Sequence, residues 1–313
     1  MTSTDPPISA SFLASTVETD LSRLEAGFAI VGIPFGVPYD IRGLASAATL
    51  APQAVRERSS RYGAFREHHD FDSDREMLPR SVRVVDVGDV KADASDIPGN
   101  AARATATVKA ILAGGAVPVV LGGDDSTPAL AIAAFADHGP VTVVQIDAHL
   151  DYRDEVNGQR HGYSSPMRRA AEFLWVEKIV HVGIRGVGSA RRADVDATLA
   201  RGNDIVTARE VVENGIAAVL ARVPEGGRYY VTVDVDGFDP AVMPGTSAAS
   251  PGGLSFRHGL DLLTGLQERG TVVGMGFAEF YPDRDVNGIT ALGIVRLAVV
   301  TMATTGRGGR GPS

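Results

Sequence analysis

Carboxylates and an imidazole cluster in this sequence where apolar runs end, in two of the runs at intervals of two. Asp147, His149 and Asp151 close "VTVVQIDAHLD", Asp234 and Asp236 lie near the end of "RYYVTVDVDGFD", Asp124 and Asp125 close "AVPVVLGGDD", and Glu279 lies at the end of "TVVGMGFAEF". In extended chain, residues two apart point to the same side, so Asp147, His149 and Asp151 can share one side, and Asp234 and Asp236 likewise. Carboxylates held a few ångströms apart repel unless they are protonated or bridged by cations. Carboxylates with an imidazole and no thiolate suit hard divalent ions, Mn²⁺ foremost, over a structural zinc. Two such ions about 3.5 to 4 Å apart would generate hydroxide near neutral pH. A single Asp after a strand is usually a turn or a helix cap; convergence at several strand ends is what argues for metal.

The elements that must position these groups are legible in outline. Eight short, β-branched apolar runs, at 28–34, 81–89, 116–125, 141–149, 177–185, 203–208, 228–239 and 271–280, are predicted strands. Their continuous rather than alternating apolarity predicts burial on both faces, as in a parallel sheet. Helical patterns at 100–114, 127–136, 189–200, 208–222, 255–269 and 288–303 lie between or after them, with Thr207 and Ser255 as N-caps of two. Strand and helix in alternation predict an α/β sheet with helices on both faces. In such sheets ligands bind beyond the carboxyl ends of the strands, where every acid named above falls. No stretch between residues 28 and 303 reads as a linker, so one domain is expected there, after an extension at 1–27 and before a flexible Gly-rich tail at 304–313.

Composition removes other classes. The 313 residues carry 44% apolar and 22% charged side chains, enough to bury a large core, and the net charge of −8 is spread along the chain rather than blocked. That excludes a nucleic-acid surface. With no cysteine, disulfides, thiolate metal sites and cysteine nucleophiles are ruled out. The first twenty residues lack the layout of a signal peptide and no apolar run approaches the roughly 18 residues of a membrane span, so the chain reads as cytoplasmic and free of membranes. Gly122-Gly123 is followed by neither a Walker lysine nor a dinucleotide fingerprint. His68, His69, His138, His181 and His258 have no useful spacing to carboxylates and are read as structural.

The ordered motifs "GGDDS" (122–126), "DAHLD" (147–151) and "VTVDVDGFDP" (231–240), with "PGTSAASPGGLS" and "GFAEFYP", resemble those of the arginase and agmatinase family, the ureohydrolases. The likeness spans nearly the whole chain. It implies a three-layer α/β/α sandwich around an eight-stranded, mainly parallel sheet. It also implies hydrolysis of a guanidino compound, agmatine or a guanidino acid, to urea and an amine by metal-hydroxide attack. Two divalent ions, Mn²⁺ or in some relatives Ni²⁺, are implied as cofactors, and a homo-oligomer, trimer or hexamer, as the assembly. Carried over, Asp147 and Asp234 would bridge both ions, Asp151 would complete one set, and His149 with Asp236 the other. Glu279 would grip the guanidinium, and His161, in "RHGYSSP", would pass a proton to the leaving amine. With Asp151 these form the implied catalytic groups, while Asp124 and Asp239 would hold the loops.

Departures from the family pattern bear on mechanism and substrate. The family has His where this chain has Asp125, so the first ion would sit among Asp125, Asp147, Asp151 and Asp234, all oxygen donors. Five ligand carboxylates against four metal charges would make bound water less acidic, so the pH optimum is expected to be raised and Asp125→His to lower it. The family's Ala-Arg-x-Gly-Pro is here "AATLAP", with Pro52 and Arg56 retained. Arg153 would attract a substrate carboxylate, whereas Asp154 and Glu155 would favour agmatine's ammonium, and the sequence leaves the choice open. Arg185, in "VGIRG", resembles a family position and equally suits holding a loop. Two other functions stay open: hydrolysis of a formimino acid or free guanidine with the same metals, and a catalytically weak partner or scaffold subunit.

Overall fold

The computed structural model describes residues 10–37 and 47–304. Eleven strands are defined among them: β1 (Thr16–Val17), β2 (Phe28–Gly32), β3 (His69–Asp70), β4 (Arg75–Glu76), β5 (Val84–Asp89), β6 (Val117–Leu121), β7 (Val141–Ile146), β8 (Val176–Ile184), β9 (Asp204–Thr207), β10 (Arg228–Asp234) and β11 (Thr271–Ala278). Strands β3 and β4 form a small antiparallel hairpin, and the other nine make one all-parallel sheet in the order β1-β5-β2-β6-β11-β10-β7-β8-β9. The eight predicted strands are all present. The ninth, β1, is a two-residue edge within the predicted extension, too short to leave a pattern; Phe12 and Leu13 beside it are buried in the core.

Alternate residues of each strand feed two cores. Val231 and Val233 of β10, Val144 and Ile146 of β7, and Phe28 and Ile30 of β2 join one cluster. Tyr230, Val143, Ala29 and Val31 join the other. Helices α1 (Ala51–Ser60), α6 (Ala208–Asn214), α7 (Ala217–Leu220), α8 (Phe256–Arg269) and α9 (Ile289–Thr304) cover the first face. Helices α2 (Ile97–Ala113), α3 (Thr127–Ala133), α4 (Pro166–Ala170) and α5 (Arg192–Ala200) cover the second, giving the three-layer α/β/α sandwich. Helix α9 is apolar nearly all round because it lies under α1 and α8 rather than at the surface. No helix among the described residues is long and apolar enough to cross a membrane.

One predicted helix needs correction and two helices were not predicted. The single helix expected over 208–222 is two, α6 and α7, because Gly215 takes a left-handed conformation (φ 70°) that ends the first. Helix α1 was not predicted: its buried face includes Arg56 and Ser59 beside Ala51, Pro52 and Val55, so no apolar stripe announces it. Helix α4 is a five-residue turn, too short for periodicity to show. The two predicted caps are in place, Thr207 Oγ1 accepting from Glu210 N and Ser255 Oγ from His258 N, and His258 completes the second as a capping box. Of the tail, residues 305–313 lie outside the described residues.

Arg56 ties the sheet's β1 end together. Its guanidinium donates to both oxygens of the fully buried Asp86 on β5, at 2.8 and 3.0 Å, and to the carbonyl of Gly88. Asp86 also accepts from Phe12 N, so one buried ion pair joins α1, β5 and the N-terminal turn. Asp86→Asn removes the fully buried one of Arg56's two carboxylate partners and leaves only the half-exposed Asp89, and is expected to cost about 3 kcal/mol. Urea denaturation of the two proteins checks this; a loss below about 1 kcal/mol would show that the pair does not hold this edge.

Candidate metal centre

Four neighbours in the sheet, β6, β11, β10 and β7, carry all the predicted acids at or just past their carboxyl ends. Because these strands are parallel, their ends lie along one edge of the sheet. The crossover from β6 through α3 to β7 skips two places, which β10 and β11 later fill, and the acids gather at that switch.

Asp125, Asp147, Asp151, Asp234, Asp236 and Glu279 are all buried, none more than 7% exposed. Ligand atoms of Asp125, Asp147 and Asp151 lie within 4.8 Å of one another, as do those of Asp147, His149 and Asp236. Asp147 belongs to both groups. His149 Nδ1 is 3.2 Å from Asp236 Oδ2 and 3.6 Å from Asp147 Oδ1. Asp234 accepts from Asp236 N at 2.8 Å and lines the same cleft of about 340 Å³, although it is outside both three-residue groups.

Local backbone conformation aims these groups. Asp151 (φ 44°) and Glu279 (φ 59°) both sit in the left-handed region, which costs a non-glycine residue about 1 kcal/mol or more and is tolerated where the surroundings enforce it. The carbonyl of Asp151 accepts from Met167 N, and Glu279 N donates to Gly123 O. Glu279 Oε1 accepts from Asp125 N at 2.9 Å and Oε2 from Ser247 Oγ at 3.1 Å, so it faces the cluster from β11. Gly237 passes so close that a Cβ there would stand 2.6 Å from Asp147 N, which only glycine allows.

The electrostatics are those of buried acids that repel one another. Burial, then Asp151, pushes the Asp125 carboxyl well above the ordinary carboxylate range. Burial followed by neighbouring acids does the same for Asp147 and Asp234, and burial raises Asp151. Burial raises Glu279 to about 8. Its hydrogen bond to Asp236 holds His149 above its ordinary value. Asp125 Oδ2 is buried with no hydrogen-bond partner, facing the Asp151 carboxylate, which has no proton to give when ionised. An orphaned carboxylate oxygen inside an oxygen-rich cluster fits a hard divalent cation.

The remaining predicted residues are placed as follows. His161 is exposed and is not among the residues lining the cleft, whereas Tyr163 and Ser164 of the same loop are. Asp124 is buried and binds Ser126 through its backbone and hydroxyl, and Asp239 accepts from the backbone of Ala241, Gly252 and Gly253. Arg153 pairs with Asp194 at 3.0 Å, and Asp154 with Arg169 and Arg160, so neither lines the cleft. Arg185 donates to the carbonyls of Gly183, Asp236, Gly237, Phe238 and Ser250, which holds the loop after β10. His181, read as merely structural, stands two hydrogen bonds behind the cluster, bonded to Gln145, which in turn donates to Asp147. Tyr163, Ser164, Ser189, Ser247 and Tyr281 also line the cleft, and nothing in their spacing marks them.

The profile of the arginase family matches residues 27–303. Similar proteins include a mitochondrial agmatinase of Gallus gallus, 32% identical over 90% of this chain and 81% of its own, and a guanidinobutyrase of Pseudomonas aeruginosa, 30% identical over 87% and 84%. Among solved structures, proclavaminate amidino hydrolase from Streptomyces clavuligerus superposes with a TM-score of 0.80 at 26% identity, over 95% of this chain and 97% of that one. The family match and these relatives make the chain a ureohydrolase, an enzyme acting on linear amidines. The chain belongs to the arginase family.

In metal-stripped protein the raised carboxyls bind protons more tightly folded than unfolded. Their contribution to stability is complete below their ordinary values of 3.8 to 4.5 and is lost as pH rises through the raised ones, about 8 for Glu279. Divalent cations relieve that loss. The gain in Tm on adding Mn²⁺ to chelator-treated protein is therefore expected to increase from about pH 5 to about pH 8; an equal gain at both would contradict this electrostatic account.

Proposed function

We propose that this chain hydrolyses a linear guanidino compound to urea and an amine, using two divalent ions, Mn²⁺ foremost, held by Asp125, Asp147, His149, Asp151, Asp234 and Asp236. The observation that carries this reading is Asp147, fully buried and common to two groups of potential ligands whose other members, Asp125, Asp151, His149 and Asp236, line an open cleft. When bound, the ions supply Lewis acidity and a water polarised for attack. Asp125, Asp147 and Asp151 are all-oxygen donors, and the second group adds the imidazole of His149, a set that suits Mn²⁺.

The protein groups then divide the work. Each Glu279 oxygen has one hydrogen bond from the protein and a lone pair left for a guanidinium N–H, the fork-to-carboxylate geometry that fixes the guanidinium plane. Water oxygen joins the guanidinium carbon, the bond from that carbon to the substituted nitrogen breaks, and the leaving nitrogen takes up both water protons to depart as an ammonium, with urea as the other product. His161, on the loop that also brings Tyr163 and Ser164 to the cleft, is assigned the carriage of one of these protons. Burial and then Arg169 lower its pKa, which keeps it neutral and able to accept at pH 7.

Charge favours an amine tail on the substrate. Six buried carboxylates against four metal charges leave the cleft net negative, and among the described residues no lysine or arginine lines it. Such a cleft draws in a dication such as agmatine and repels a carboxylate.

Elemental analysis after Mn²⁺ loading is expected to give two ions per chain, with urea released from agmatine at a higher kcat/KM than from 4-guanidinobutanoate. One ion or none, with urea from neither, would overturn the reading and leave a partner or scaffold subunit. His161→Ala is expected to lower kcat by about 10²-fold with little change in KM; parental kcat would remove His161 from the mechanism.

A further inference from the structure

Since Asp147 serves both groups, its orientation governs both. Its Oδ1 accepts from His149 N at 2.5 Å, and its Oδ2 accepts from the Gln145 side-chain amide at 2.6 Å. Gln145 sits two residues earlier on β7, hence on the same side of the strand, and is buried. With its nitrogen committed to Asp147, its oxygen faces Nδ1 of His181, the residue directly opposite it on β8. Three side chains thus make a line across the sheet, ending on the shared carboxylate.

His181 has no other evident use. It is fully buried and its Nε2 has no hydrogen-bond partner. Burial lowers its pKa to about 3, so it is neutral throughout the working range, and the Gln145 oxygen selects the tautomer with hydrogen on Nδ1. A leucine or phenylalanine would fill a core position without an unsatisfied nitrogen, so the imidazole is held for its one hydrogen bond. The donor that reaches Asp147 is a neutral amide. An arginine or lysine there would orient the carboxylate equally well but would cancel the negative charge that a cation needs.

We propose that Gln145 and His181 are positioning residues of the metal centre: His181 fixes the Gln145 amide, and the amide fixes the carboxylate that the two ligand groups share. The inference rests on the two-ion reading of the site. It predicts that His181 acts only through Gln145.

The test is a double-mutant cycle read by calorimetric titration of Mn²⁺ into chelator-stripped protein, with the Tm of the stripped protein as a check on folding. Gln145→Leu is expected to weaken Mn²⁺ binding by 10- to 100-fold. His181→Leu should weaken it by about 10-fold, and the double variant no more than Gln145→Leu alone. His181→Gln, which keeps a donor, should recover most of the loss; this milder variant and Gln145→Met carry the test if a leucine variant fails to fold. Single variants within twofold of the parent, or a double loss equal to the product of the single ones, would overturn the relay. A parent that binds no Mn²⁺ would instead overturn the two-ion reading itself.

Discussion

Six carboxylates buried within one cluster repel one another, and that repulsion is the constraint on which the rest of this structure depends. Folding alone does not relieve it: the acids are pushed towards their protonated forms, and one oxygen of Asp125 is left with no partner. Cations are the remedy that also yields chemistry. The scaffold holds the acids in place by other means, with left-handed turns at Asp151 and Glu279, a glycine pressed against the Asp147 backbone, and Arg185 clamping the carbonyls of the β10 loop.

Sheet order turns scattered motifs into one site. Strands β6 and β7 are consecutive in sequence yet separated in the sheet by β10 and β11, which are contributed by chain about a hundred residues further on. Parallel pairing then brings four carboxyl ends side by side. Acid placement and strand order are one fact: reversing any of the four strands would carry its acids to the opposite edge.

Much of this was legible because strand ends and paired acids leave local marks. Period two placed Asp147 with His149 and Asp151, and apolar runs marked every strand of the large sheet except the two-residue β1. What escaped reading depends on contacts between distant segments. Helix α1 hides because its buried face holds an arginine whose partner, Asp86, lies thirty positions away. Arg153 and Asp154 look like competing substrate contacts until Asp194 and Arg169 are seen to occupy them. His181 looks like core, and is core, until its neighbour across the sheet proves to be Gln145. Tyr163 and Ser189 come to the cleft from different loops with no marker at all.

Asp125 makes one of the two ligand groups all-oxygen, and its orphaned oxygen is the feature that most directly calls for a cation. The decisive measurement is anomalous diffraction near the manganese absorption edge from Mn²⁺-soaked crystals. The account predicts two peaks that share Asp147, one of them within coordinating distance of Asp125. A single peak, or two peaks that leave Asp125 untouched, would contradict it.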